Sequence, residues 1–304
     1  MMISNGIVFG NGKGGVGKTS ICANVAGLAA HSGWKVLAVD LDPQGNLGSD
    51  LGYKQQGRSD EGESLLRAVV SGTPIRPLAG VRERLDVVAG GAATTDLLAV
   101  LNNRRSVDPA AVADVAAALA PLAADYDLVV IDSPPAGGVA VDAALAAAHW
   151  LVIPVKFDEG SIDGLELMAR QFGAVKRSAN PDLELLGIVL FDFSTAGKVI
   201  RSEVRKQLAE ELGDAAPVMR AVIRKSERGA YDMRKVGLLA HEYQARAIDA
   251  AARTSIAERI MRSKSGQHVE RYSSAAEGLA DDYKRLASEL LLSLGDLHRR
   301  VGRQ

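Results

Sequence analysis

The segment Gly12–Thr19, GKGGVGKT, constrains this chain more than any other stretch. It follows a short apolar run, Ile7–Gly10, and precedes an Ala-rich helical pattern, Thr19–His31. Between a strand and a helix, G-x-x-x-x-G-K-[ST] is a phosphate-binding loop. Glycines 12, 14, 15 and 17 let the backbone curl until successive N–H groups face one anion. Lys18 is placed to reach β- and γ-phosphates, and the Thr19 hydroxyl to ligate Mg²⁺. The helix start adds its free N–H groups and dipole. The candidate nucleotide-binding set is Gly12, Lys13, Gly14, Gly15, Val16, Gly17, Lys18, Thr19 and Ser20.

Short apolar runs then alternate with longer helical patterns. Val36–Asp40, Leu85–Ala89, Leu128–Ile131, Leu151–Val155, Leu185–Phe191 and Val218–Ile223 read as strands, most of them apolar throughout. Strands read that way when helices cover both faces of a parallel sheet. Helices are expected at Asp108–Ala124, Val139–Ala148, Ile162–Ser178 and Val199–Leu212, the first opening with an Asp-Pro cap. The predicted fold is a doubly wound, mostly parallel α/β sheet, one P-loop domain over residues 1–304. With 47% hydrophobic and 24% charged residues, such a chain buries a core without staples. The single cysteine, Cys22, forms no internal disulfide and cannot ligate an iron–sulfur cluster, which excludes cluster-bearing relatives of the same fold. The five histidines show no ligand spacing, so no metal beyond Mg²⁺ is expected.

Three segments together carry a family resemblance. Lys13 within GKGGVGKT resembles the deviant Walker A motif of the ParA/MinD superfamily. Val39–Asn46, VDLDPQGN, is similar to that family's segment after the second strand, in the form of its ParA branch. Leu128–Pro135, LVVIDSPP, is similar to its Walker B strand. The similarity runs from Met2 to about Tyr243 and resumes at Ala280–Leu290. The resemblance implies that Asp132 holds Mg²⁺ with Thr19, that Asp40 lies near the metal, and that Asp42 orients the attacking water. It implies that Lys13 reaches the partner's phosphates across an ATP-sandwich homodimer, and that Asp192, after the sixth strand, contacts adenine. Lys13, Lys18 and Asp42 are then the catalytic set. Expected partners are a second copy of the chain, non-specific duplex DNA, and a centromere-binding ParB-like protein that stimulates hydrolysis.

Lys198–Lys235 contains ten Lys/Arg and six Asp/Glu, a local excess of 10 − 6 = +4 in a chain of net charge −1. Arg201, Arg205, Arg220, Arg224, Lys225 and Arg228 are the candidate DNA-binding residues, Arg220 matching the family best. The chain departs from relatives in two places. Gln244–Ser274 is a charged, helical insertion, and Gly278 stands where some relatives carry a basic residue.

The alternative is a MinD-like positioning ATPase. It needs a membrane-binding C-terminal helix, which Leu286, Leu290, Leu291, Leu294 and Leu297 superficially offer. That stripe reads more simply as a helix packed on its own domain. The opening MMISNGIVFGNGKGG has no basic-then-apolar leader, and the richest apolar stretch, Ala136–Val155, is broken by Asp142, His149 and Pro154. A cytoplasmic, nucleoid-associated protein without membrane partners is expected.

Overall fold

The computed structural model describes residues 2–135, 137–156, 161–193, 206, 217–253 and 275–301. Its strands are β1 (Ile3–Phe9), β2 (Val36–Asp40), β3 (Leu78–Arg82), β4 (Leu85–Val88), β5 (Leu128–Asp132), β6 (Ala148–Lys156), β7 (Glu184–Phe193) and β8 (Val218–Arg224). They form one sheet in the order β3-β4-β2-β5-β1-β6-β7-β8. Every neighbouring pair is parallel except β3–β4. The order reverses direction around β1, so the P-loop leaves the sheet where open α/β sheets bind their ligands.

Helices cover both faces. On one lie α3 (Glu63–Ser71), α4 (Ala92–Val107), a 3₁₀ turn at Pro109–Ala113, α5 (Asp114–Ala123), α6 (Val139–Ala147) and α7 (Ser161–Ser178). On the other lie α1 (Lys18–His31), α2 (Asn46–Asp50), α8 (Glu227–Val236), α9 (Ala240–Arg253) and α10 (Ala275–Val301). β2 and β5 are fully buried along their length, which accounts for their uninterrupted apolar sequence.

The expected Asp108–Ala124 helix is split. Asp108 caps the 3₁₀ turn by accepting from Ala110 N–H at 2.9 Å, and α5 follows. The expected helix Val199–Leu212 lies outside the described residues, as do Arg201 and Arg205. The insertion begins as α9, and residues 254–274 are likewise outside. Among the leucines of the C-terminal stripe, Leu286, Leu290 and Leu294 are buried against the sheet and α1 side of the core. They hold α10 on the domain, while Leu291 is only partly buried and the Leu297 side chain lies outside the described residues. Among the described residues, no helix is long and apolar enough to cross a membrane.

Candidate functional site

The loop between β1 and α1 is held open by glycine geometry and by one asparagine. Gly15 and Gly17 take positive φ, 72° and 84°. At Gly17 a Cβ would also lie 2.3 Å from the Phe191 ring, so both backbone and space demand glycine. Asn11, fully buried, donates to Pro154 C=O at 2.7 Å and accepts from Lys13 N–H at 2.8 Å. That clamp ties the loop to the end of β6. Lys18 is buried, and its ammonium donates to the carbonyls of Lys13 (2.9 Å) and Asn11 (3.3 Å). Burial lowers its pKa, against the opposing pull of Asp132 and Asp42. Half-buried Lys13 sits at the start of the loop.

Three carboxylates close the other side. Asp40 ends β2 and Asp132 ends β5, register partners across the ladder and both fully buried. Asp40 accepts from Asp42 N–H at 2.9 Å and Leu47 N–H at 3.3 Å, holding the DPQGN turn against the sheet. Asp42 accepts from Gln44 N–H at 3.0 Å and is itself 5% exposed. Asp132 differs from both. Neither of its oxygens has a hydrogen bond of ordinary geometry from a described residue. Burial pushes its carboxyl well above the usual range, only partly offset by the Thr19 hydroxyl and Lys18. Burial also raises Asp40, to about 7.

This donor set fits a hard divalent cation. A buried carboxylate left unpartnered is costly, whereas a carboxylate and a hydroxyl beside incoming phosphates are what Mg²⁺ takes. Asp132 and Thr19 would hold the ion directly or through water. Asp40, with both oxygens occupied by main-chain donors, supports the loop that carries Asp42. Ser20 donates to Asp50 at 2.9 Å.

Asp192 lies at the end of β7 with φ 62°, one residue past the Phe191 ring that covers Gly17, and pairs with Lys156. Sequence reasoning missed Asn11, Phe191 and Gly90. At Gly90 a Cβ would sit 2.8 Å from both the Asp40 Cγ and the Asp42 carbonyl, so Gly90 is the floor under the acidic loop. Its signal was the Gly90-Gly91 pair directly after an apolar strand.

The basic residues divide. Arg224 donates through Nε (2.6 Å) and a terminal nitrogen (2.9 Å) to the buried carboxylate of Asp282 on α10. Its guanidinium crosses Gly278, where any Cβ would fall within 1.9 Å of it. The glycine is thus what lets Arg224 reach Asp282. Arg224 straps β8 to α10, its guanidinium engaged by Asp282. Lys225 pairs with Glu227 (2.9 Å) at well-exposed positions, where such pairs exchange readily, and exposed Arg228 pairs with the largely covered Asp232 (2.9 Å). Arg220 is exposed, and its main-chain N–H donates to Glu289 at 2.8 Å. Asp282 and Glu289 therefore bring negative charge to a face that sequence counting scored as +4.

Comparison with known proteins shows the family. A family model described as an AAA domain matches residues 4–185. The chain is 36% identical over 208 residues to the chromosome partitioning protein ParA of Myxococcus xanthus, covering 68% of this chain and 69% of that one. Its fold is similar to the McdA(D38A)–ATP complex of Cyanothece, with TM-score 0.71, 19% identity, and coverage of 97% and 98%. It is also similar to cobyrinic acid a,c-diamide synthase from Mycobacterium smegmatis with bound ATP analogue and magnesium, at TM-score 0.64, 25% identity, and coverage of 89% and 100%. A P-loop with a lysine at position 13, an acidic turn and a Walker B aspartate, on this sheet order and with these relatives, make the chain a member of the ParA branch of the ParA/MinD superfamily of P-loop ATPases.

Proposed function

We propose that this protein is a nucleotide-switched partition ATPase: it binds ATP with Mg²⁺, dimerises around it, grips duplex DNA without sequence preference, and releases DNA when a ParB-like partner stimulates hydrolysis. The observation that carries this reading is the fully buried Asp132 carboxylate, without a hydrogen bond of ordinary geometry, beside the Thr19 hydroxyl and the Lys18 ammonium. When bound, the metal neutralises charge on the phosphates and on the oxygen that leaves.

The chain's own residues supply the rest. Lys18 gives up its loop carbonyls for phosphate oxygens, and the N–H groups of Gly14, Gly15, Val16 and Gly17 cradle them. Thr19 and Asp132 hold the metal, with Asp40 close behind. Asp42 accepts a hydrogen bond from the attacking water and fixes its line of approach. Lys13 projects to the partner's phosphates and acts like an arginine finger supplied in trans, tying hydrolysis to assembly. Asp192 lies on the adenine side. Arg220, Lys225 and Arg228 track DNA phosphates, and dimerisation doubles that face on one duplex. Such a protein works in the cytoplasm on nucleoid DNA.

Co-sedimentation tests the reading. Plasmid DNA should pellet the protein with ATP·Mg²⁺ but not with ADP, and anionic liposomes should not pellet it in either state. Pelleting with liposomes alone would return the MinD-like alternative.

A further inference from the structure

α8 is attached to the domain sparsely. Only Gly229 and Met233 of its residues are buried. A cavity of about 290 Å³ separates it from α1 and α10, lined among others by Ser20, Asn24, Tyr231 and Tyr283. Across that gap runs one short, charge-assisted contact. Arg234 Nε donates to Asp50 Oδ1 at 2.6 Å, and the other Asp50 oxygen accepts from Ser20 at 2.9 Å. Asp50 is buried, while Arg234 is half exposed.

The placement of these three residues is informative. Ser20 follows Thr19 in the first turn of α1. Asp50 ends α2, the helix that grows out of the acidic turn carrying Asp42. Arg234 lies near the C-terminus of α8, whose N-terminal end carries Arg228, about 9 Å away along the helix. Supporting contacts gather at the same end. Gln55 donates to Arg234 C=O at 3.0 Å, and Arg82 donates to both Leu51 C=O (2.9 Å) and Gly237 C=O (3.0 Å). Gly52 and Gly237, both at positive φ, meet backbone to backbone, leaving no room for a Cβ on either.

We infer that the Asp50–Arg234 pair, with Ser20, is a pin that couples the phosphate-side elements α1 and α2 to the DNA-facing helix α8. Movement of the first turn of α1 reaches α8 across the cavity through the pin, and movement of the acidic turn through the pin together with the Gly52–Gly237 contact. Arg234 and Asp50 are positioning residues. This rests on the proposed function for what α8 grips, but not for whether nucleotide reaches α8.

Hydrogen exchange on the full chain, with and without AMPPNP·Mg²⁺, separates the two. In wild type, nucleotide should slow exchange across Glu227–Val236. In Arg234→Met that slowing should vanish while AMPPNP affinity stays within about 2-fold, and Arg234→Lys should restore part of it. In DNA titrations, the nucleotide-induced gain in affinity, about 5-fold or more for coupled sites, should fall below about 2-fold in Arg234→Met. Asp50→Asn, which keeps the side chain's shape, should behave likewise and guards against a variant that misfolds. Undiminished slowing across α8 in either variant overturns the pin. Wild type that shows the slowing but binds no DNA sustains the pin and defeats the DNA reading.

Discussion

Asp40 and Asp132 face each other as register partners at the ends of β2 and β5, yet only Asp40 has its oxygens taken by main-chain donors. The two buried carboxylates therefore do different work. Asp40 shapes the acidic turn, and for Asp132 the proposed role is to hold a cation. Burial disfavours the charged form of Asp132 in the ligand-free fold, a cost that a bound cation would offset.

That asymmetry sets a pH dependence. Asp132 and Asp40 are both raised in the folded state, Asp40 from 3.8 to about 7. Between those values folded Asp40 holds a proton that the unfolded chain has released. Its contribution is complete below about pH 4 and is lost as pH rises through about 7, by up to about 1.4 kcal/mol per unit, and Asp132 acts in the same direction. Denaturant unfolding of the ligand-free protein should show Asp132→Asn more stable than wild type at pH 8, with the gap closing toward pH 4. A gap that does not change with pH contradicts the assignment.

Turnover should separate binding from chemistry. Lys18→Ala removes the cation at the phosphates and should abolish ATP binding. Asp42→Ala should bind ATP within a few-fold of wild type and lose hydrolysis by about 10²-fold or more, as expected when a water-orienting group is removed. Binding by fluorescent-nucleotide titration and phosphate release measured together decide this. Normal turnover in Asp42→Ala removes that residue from the mechanism.

The two kinds of arginine on the β8 side should respond oppositely. Arg224→Ala removes the two guanidinium hydrogen bonds to buried Asp282, leaving it the main-chain N–H of residue 224 at 3.1 Å and Arg285 at 3.9 Å, and should destabilise the fold by about 2 kcal/mol, less than a fully buried pair because the guanidinium is 32% exposed. Lys225→Ala with Arg228→Ala should leave stability unchanged and weaken DNA binding for all sequences alike. The slope of log K against log salt should flatten by about 1 per lost phosphate contact. An unchanged slope in the double variant and in Arg220→Ala means that DNA binds elsewhere.

The P-loop was legible because its strand, loop and helix are contiguous, and the buried strands because β2 and β5 are apolar up to their terminal aspartates. The edge strand Leu78–Arg82 was not, since its Ala79 and Gly80 are exposed and its sequence resembles a turn. Helix α4 was missed because Ala92–Asp96, AATTD, reads as loop, although Leu97 and Leu101 sit at helical spacing in the core. The strap from Arg224 to Asp282 spans 58 positions, beyond any local pattern. For the same reason the charge count over Lys198–Lys235 could not register the carboxylates that α10 brings alongside.

The central claim is that nucleotide switches assembly, and light scattering of the full chain tests it most directly. With ATP·Mg²⁺, Asp42→Ala should run at twice the 32.0 kDa chain mass, and at the single mass with ADP or no nucleotide. Adding Lys13→Gln to that background should shift the ATP form back toward monomer. One mass in all three nucleotide states, for both variants, contradicts the account.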